Sequence, residues 1–412
     1  MKKFTTLCTV LVLATSSLFA AISTTQSFEL DGHTRSYLRY IPSSYNATQP
    51  STVLVMMHGL NGDMNSFANL GYDLGLMADA NNTIVLSLQA LDEQNTEVAN
   101  FISTIASFQA TTFSNKGVWG AGVSIPLSSV TAQLPPEQLP LLLMLWPEIA
   151  ASGKVVLNQN VNDIAYINAV IDATKTAYNI NTDRLFMFGA SMGGAMAYKY
   201  ALSASPQISG MAIGSGFIGA EVNTSGAFPV PTIHFHGTDD DVVEYNGTEF
   251  NGDIESIISL LAAKNHTASP EIINIPNSTI EDNKTVTVSD YQTVGKPRLT
   301  FYKIEGADHG LTNITDISVF AEAWKFFNNE PILTAIANTY DTSVSITPNP
   351  SSDYIQLSVA GKYTLFTLEG KVALQGNNIE NEAIWIGDLP QGMYIITIMH
   401  DGANYASKLS IN

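Results

Sequence analysis

Arg184-Leu185-Phe186-Met187-Phe188-Gly189-Ala190-Ser191-Met192-Gly193-Gly194-Ala195-Met196-Ala197-Tyr198 joins an apolar, strand-like run to a small-residue, helix-like run through a five-residue turn. The turn reads G-x-S-x-G, a pattern too short to mean much alone. Its flanks give it weight. A strand before it and a helix after it make a sharp strand–turn–helix that lifts a serine hydroxyl out at the carboxyl end of a sheet. Gly189 and Gly193 leave room for the tight turn. The competing reading, a helix start with Ser191 as its N-cap, leaves the preceding strand unexplained.

Outward from this turn, strand-like and helix-like segments alternate from about residue 26 to 330. Ser27–Leu30 and Ser36–Ile41 read as a hairpin around Asp31-Gly32. Thr52–Met57 is continuously apolar, as a strand buried on both faces must be. Met64–Ala80 has helical periodicity, and Thr83–Leu88 is again a strand. Val161–Tyr178 carries Ile164, Ile167 and Ile171 as a helical stripe. Met211–Ile213, Thr232–Phe235 and Leu299–Ile304 are strands, and Ile317–Phe327 a last helix. Such alternation predicts an α/β fold with a mostly parallel sheet covered on both faces. Residues 92–160 break the rhythm. A structureless loop that long is rare in a compact domain, so the segment is read as a partly helical insertion.

The chain of 412 residues carries 18 Lys plus Arg against 37 Asp plus Glu, a net charge of −19. That acidity repels phosphate backbones and argues against nucleic-acid binding. The single cysteine, Cys8, lies in the N-terminal apolar run, which excludes a disulfide framework and a thiolate metal site. Lys2 and Lys3, the apolar run 7–13 and the small residue at Ala20 form the pattern of a secretory signal peptide over 1–20. No later apolar run is long enough for a transmembrane anchor.

A serine hydroxyl needs a base to become a nucleophile, and in this arrangement the order along the chain is Ser, Asp, His. Of the histidines beyond position 240, His266 sits at a helix end and His400 in the C-terminal region. His309, in Gly306-Ala307-Asp308-His309-Gly310, follows the strand Leu299–Ile304 and is the candidate base. The acid should follow Thr232–Phe235, where Asp239, Asp240 and Asp241 stand in a row. Only one can point at the imidazole, and the spacing does not fit a calcium loop. An oxyanion hole needs two backbone N–H groups. Met192, next to Ser191, supplies one, and Leu60 in His58-Gly59-Leu60-Asn61-Gly62 is the candidate for the other.

Taken together, Arg35-Ser36-Tyr37-Leu38-Arg39-Tyr40-Ile41-Pro42, Met57-His58-Gly59, Asn162-Asp163-Ile164, Gly189-Ala190-Ser191-Met192-Gly193-Gly194 and His236-Gly237-Thr238-Asp239-Asp240 resemble the polyhydroxybutyrate depolymerase-like esterases. These stand with the feruloyl and acetylxylan esterases of the α/β-hydrolase superfamily. The resemblance covers about 27–328. It implies that the acid is Asp240, three residues after the glycine of the His-Gly pair, and that His309 is the histidine. It implies a secreted serine esterase needing neither metal nor cofactor, acting on a feruloyl or acetyl ester of a polysaccharide or on a polyester. The competing reading is a non-catalytic binding or adhesive protein on a hydrolase scaffold.

From residue 345 the pattern changes to short alternating strands punctuated by Gly, Asn and Pro, an all-β, sandwich-like module. Ile346-Thr347-Pro348-Asn349-Pro350, Leu368-Glu369-Gly370-Lys371, Asp388-Leu389-Pro390-Gln391-Gly392-Met393-Tyr394 and Lys408-Leu409-Ser410-Ile411 resemble a type IX secretion sorting domain. That resemblance implies the type IX secretion machinery as a partner and an extracellular or outer-surface location. In a carbohydrate-binding module Trp385 and Tyr394 would be sugar platforms; here Trp385 is expected in the core.

The expected organisation is a signal peptide at 1–20, a hydrolase domain at 23–330 with its insertion at about 92–160, a linker at 331–344 and a sorting domain at 345–412. Within the insertion, the apolar run 141–146 among prolines must be buried or serve as a contact surface. The insertion leaves a strand's carboxyl end, so it is expected to wall or cover the acyl pocket, with Trp119 or Trp146 facing the substrate.

Overall fold

The computed structural model describes residues 22–67, 74–109, 114–131, 140, 144–248, 251–266, 268–277, 282–330, 332, 345–367, 372–400 and 403–412. The expected signal peptide, the linker apart from Ile332, and residues 141–143 lie outside them. The chain divides into two compact units, Met1–Ile332 and Leu333–Asn412.

In the larger unit the elements run β1 (Ile22–Leu30), β2 (His33–Ile41), β3 (Ser51–Met57), α1 (Leu74–Ala80), β4 (Thr83–Leu88), α2 (Thr96–Gln109), β5 (Ser124–Pro126), α3 (Leu127–Thr131), α4 (Pro147–Ser152), β6 (Lys154–Val156), α5 (Asp163–Ala177), β7 (Ile180–Ala190), α6 (Met192–Ala201), β8 (Gly210–Gly214), β9 (Thr232–Gly237), α7 (Ile254–Asn265), β10 (Glu271–Asn274), β11 (Thr285–Tyr291), β12 (Leu299–Glu305) and α8 (Val319–Phe327). Ten strands form one sheet in the order β1-β2-β4-β3-β7-β8-β9-β12-β11-β10. The run from β4 to β12 is parallel, and the strands outside it pair antiparallel. This is the α/β architecture expected from the alternation.

The period of two along a strand sorts the core into two layers. On β3, Val53, Val55 and Met57 face one cluster with α5 and α6, while Leu54 and Met56 face the other with α1 and α8. Helix starts are capped by side chains. Asn162 accepts from the Ala165 N–H, Asp253 from Ser256 and Ser318 from Ala321, satisfying N–H groups that have no helical partner. Among the described residues no helix is long and apolar enough to cross a membrane.

Three local expectations change. The periodic segment 64–80 is helical over Leu74–Ala80, whereas Asp63 and Ser66 close a turn, Ser66 N–H donating to the Asp63 carbonyl and Asp63 N–H to Ser66 Oγ. Short polar side chains there offer the backbone partners that a helix cannot match. The hairpin β10–β11 extends the sheet beyond β12; as an outer, half-buried strand pair rich in Thr, Ser and Asn it carries a weak apolar signal. The insertion has its own two-stranded sheet, β5 with β6.

The smaller unit holds β13 (Ile346–Thr347), β14 (Tyr354–Leu357), β15 (Gly361–Thr367), β16 (Val372–Asn378), β17 (Ala383–Trp385), β18 (Gly392–His400) and β19 (Ala403–Ile411). They form a three-stranded sheet, β13-β14-β17, and a four-stranded sheet, β16-β15-β18-β19. Ile355, Leu357, Leu365, Ile384, Ile396 and Leu409 are among the residues that fill its core. Trp385 is not in that core, contrary to expectation. It is 59% exposed, because β17 alternates and Ile384 takes the inward position. Its indole N–H donates to Asp388 at 3.0 Å. Tyr394 is buried, its hydroxyl donating to the Pro390 carbonyl.

Candidate active site

Ser191, Asp240 and His309 stand on the loops that follow β7, β9 and β12, three parallel strands whose carboxyl ends point the same way. Open α/β sheets place their ligand sites at this edge. Ser191 has φ 54° and ψ −121°, a sparsely populated conformation for a non-glycine residue. The surroundings enforce it. A Cβ on Gly193 would lie 2.2 Å from the Met57 carbonyl oxygen, and one on Gly189 2.4 Å from that of Gly193. The turn can therefore nest against β3 only with glycine at both positions. Ser191 makes no side-chain cap on α6, so its hydroxyl is turned outward, as the strand–turn–helix reading requires.

The three side chains form one hydrogen-bonded chain. Ser191 Oγ lies 2.9 Å from His309 Nε2, and His309 Nδ1 lies 2.9 Å from each oxygen of Asp240. A carboxylate only accepts, so Nδ1 carries the proton and Nε2 is free to accept from the serine. The Ser215 hydroxyl donates to the His309 carbonyl at 2.8 Å, tying the histidine loop to the end of β8. Asp240 also accepts from the N–H groups of Val242 and Val243 at 2.9 and 2.8 Å and from His236 at 3.2 Å. Burial opposes its charge, yet the bonds from His236 and His309 outweigh burial and hold the carboxyl well below its usual range. Asp239 and Asp241, its neighbours, are exposed.

Leu60 follows β3 and lines the cavity above Ser191, and Met192 is the first residue of α6. The Met192 N–H is among those that no carbonyl within its own helix can accept. Two supports under the Leu60 loop escaped the sequence reading. His58 is buried; its Nδ1 bonds to the Gly59 carbonyl at 2.7 Å and its Nε2 accepts from the Ala90 N–H at 3.2 Å. Burial lowers its pKa, which matches one protonated and one bare ring nitrogen. The second support is Trp119, whose indole N–H donates to the His58 carbonyl at 2.8 Å.

The cavity over Ser191 is about 740 Å3 and open to solvent. Its apolar lining includes Leu60, Phe67, Phe188, Leu311, Ile314 and Ile317. One wall is the stretch from His309 to Phe320. Neither tryptophan of the insertion reaches it. Trp119 is fully buried beneath the β3 loop, and Trp146 is buried against Phe101, with ring centroids 5.1 Å apart. Both belong to the core layer on the α5 and α6 face. The expected substrate-facing role is corrected accordingly: a large ring that can fill a core layer gains more from burial than from a wet cavity edge.

Residues 150–257 match the phospholipase/carboxylesterase family, and residues 345–412 match the secretion system C-terminal sorting domain. The larger unit has the α/β-hydrolase fold, and the smaller matches the sorting domain along its length. Local sequence likeness runs to a bifunctional acetylxylan esterase/xylanase of Neocallimastix patriciarum, 37% identical over 95 residues, 22% of this chain and 13% of that protein. A protein named probable feruloyl esterase C, of Aspergillus clavatus, is 30% identical over 101 residues, 24% of this chain and 37% of that protein. The chain thus matches well under half the length of either relative. The solved ferulic acid esterase of Anaeromyces mucronatus superposes with a TM-score of 0.41 at 13% identity, over 76% of this chain and 91% of that one. The sorting domain marks the hydrolase for export to the cell surface or beyond.

Proposed function

We propose that this α/β-hydrolase is an exported carboxylic ester hydrolase with Ser191 as nucleophile, His309 as general base and acid, and Asp240 as the group that orients His309. The observation that carries this is the unbroken chain Ser191–His309–Asp240, with bonds of 2.9 Å, on the floor of an open apolar cavity. Ser191 Oγ attacks the ester carbonyl while its proton passes to His309 Nε2. The charge that develops on the carbonyl oxygen is met by the N–H groups of Leu60 and Met192. As the C–O bond breaks, His309 returns the proton to the departing alkoxide. Water, deprotonated by the same nitrogen, then frees the acid and restores Ser191. The substrate class is an acyl ester of a polysaccharide. The apolar lining supports a bulky aromatic acyl group, as in feruloyl esters, over acetyl, with aliphatic polyesters as the second class. The local likeness to enzymes named for feruloyl and acetylxylan esters supports an acyl ester of a polysaccharide as the class.

Turnover of p-nitrophenyl acetate and methyl ferulate by the purified chain tests it. Ser191→Ala and His309→Ala should each reduce kcat by about 10⁴–10⁶-fold, whereas Asp239→Ala and Asp241→Ala should change it little. Absence of turnover on both esters by the unaltered chain would overturn the enzyme reading in favour of a binding protein on the same scaffold.

A further inference from the structure

The hydrogen-bonded chain does not stop at Asp240. Behind it, on the face of β9 turned toward α6, His236 and His234 lie two residues apart with parallel rings 5.4 Å from centre to centre, both fully buried. His236 Nε2 is 3.2 Å from Asp240 Oδ2 and 2.9 Å from the Val243 carbonyl. His236 Nδ1 is 3.1 Å from His234 Nε2, and His234 Nδ1 is 2.6 Å from the Tyr198 hydroxyl of α6.

One arrangement of protons satisfies every contact with both rings uncharged. A carbonyl and a carboxylate can only accept, so His236 carries its proton on Nε2. In this arrangement its Nδ1 is bare and accepts. His234 therefore also carries its proton on Nε2, and Tyr198 donates to its bare Nδ1. Burial keeps His234 uncharged and Tyr198 protonated. Phe301 and Tyr245 close the sides of the two rings edge-on, and among the described residues Asp240 is the one charged group bonded to either ring. In that arrangement every donor in the series Tyr198, His234, His236 points the same way, and the last N–H is shared between the Val243 carbonyl and Oδ2.

We propose that His236 is a positioning residue for the Ser191–His309–Asp240 site, and that Tyr198 and His234 lock its ring in the tautomer that donates to Asp240. The inference rests on the esterase reading above. The two backbone N–H groups bind Oδ1 alone. The His236 Nε2–H, shared with the Val243 carbonyl, is the further donor that reaches Oδ2. With both oxygens fixed, the carboxylate plane is set, and with it the plane of the His309 imidazole. Bonds that align in series also polarise one another.

The full chain is tested with p-nitrophenyl acetate in three variants, with folding checked by circular dichroism and thermal unfolding. His236→Leu should lower kcat about 10–100-fold, the scale on which supporting groups act, with KM within about twofold. His236→Gln, whose amide can donate from nearly the position of Nε2, should regain most of that loss. Tyr198→Phe should lower kcat less than His236→Leu, at unchanged KM. Independently of turnover, ¹⁵N spectra of the imidazoles should show His234 and His236 protonated on Nε2 alone in the unaltered chain, and a mixture of tautomers at His234 in Tyr198→Phe. A folded His236→Leu with unchanged kcat, a Gln variant as slow as the Leu variant, or a proton on His236 Nδ1 would each overturn the proposal. Should His236→Leu fail to fold, the Gln and Phe variants and the tautomer spectra still decide it. Absence of turnover in the unaltered chain would instead count against the esterase reading.

Discussion

Two segments leave the carboxyl edge of the parallel sheet. The stretch 92–160, after β4, is long and rich in large apolar side chains, and holds Trp119 and Trp146. The stretch 306–318, between β12 and α8, is short and mostly polar in sequence. The long segment packs down onto the α5 and α6 face, and its Trp119 braces the loop of Leu60 from beneath. Its own hollow of about 300 Å3 is lined by Glu93, Gln94, Glu97, Asn158 and neighbours, none of them from the Ser191 site. The short segment carries His309 and forms a wall of the cavity with Leu311, Ile314 and Ile317. Leaving the right edge of a sheet, and being greasy, do not by themselves bring a segment to the substrate. What decides is whether its apolar groups find a core layer. Trp119, Trp146, Ile149 and Val155 of the long segment do, although Met144 and Leu145 beside them stay exposed; Leu311, Ile314 and Ile317 of the short one stay half exposed beside Ser191.

The largest expected effect that could break this contrast is on stability. Trp119→Ala should cost about 3–5 kcal/mol of folding free energy, the usual loss for a buried large aromatic side chain, read as a lower urea midpoint. The ratio of kcat/KM for methyl ferulate to that for p-nitrophenyl acetate should stay unchanged in the protein that remains folded. A changed ratio at unchanged stability would restore the insertion as a substrate wall.

A smaller effect is expected on the other side of the contrast. Leu311→Ala should shift the same ratio by about tenfold, as removal of apolar contacts in a pocket does, with a smaller loss of stability than Trp119→Ala. Leu311 holds φ 51°, an uncommon conformation for a bulky residue, which places its side chain against Gly214 beside the cavity. An unaltered ratio in both Leu311→Ala and Ile317→Ala would show that this wall does not touch the acyl group.

The smallest effect is a pH signature that separates two buried carboxyls, Glu93 of the insertion and Asp240, the partner of His309. Asp240 is held below its usual range by its donors. Glu93 of the insertion accepts from the Asn95 and Asn158 N–H groups at 3.0 and 2.8 Å, but burial prevails and raises its pKa. A raised folded pKa means that the folded state binds the proton more tightly than the unfolded state. Stability from Glu93 therefore falls as pH rises from its unfolded value, about 4.3, through its raised folded value. Thermal unfolding of the unaltered chain and of Glu93→Gln should show a difference more favourable to the unaltered chain at pH 4.5 than at pH 8. The contribution of Asp240 has the opposite sign and cancels in this comparison. A difference independent of pH would mean that Glu93 is ionised equally in both states.

The residues of the elbow and of the two loops that answer it were legible because each leaves a local mark. Gly189 and Gly193 flank Ser191 at fixed spacing, His309 follows a short apolar strand, and so does the row Asp239–Asp241, in which the family resemblance singles out Asp240. The insertion was legible only as an interruption. Its strands β5 and β6 are three residues each, too short for a period to show. The hairpin β10–β11 was missed because a half-exposed outer strand needs little apolar residue content. Trp385 was misjudged because one residue of register decides which face of β17 it occupies.

Legible in the chain alone were the parallel-sheet class, the two-part organisation, the outward serine, the candidate base and a row of three candidate acids. These follow from periodicity, from glycine spacing and from loop position at strand ends, all of which act over a few residues. Packing between distant segments settles which tryptophans are core, which loop walls the cavity, and that Tyr198, His234 and His236 line up behind Asp240. Tyr198 sits on α6, the histidines on β9 and Asp240 on the next loop. A helix and a strand 36 residues apart are brought within hydrogen-bond reach by packing across the sheet, and no local pattern in the chain encodes that distance.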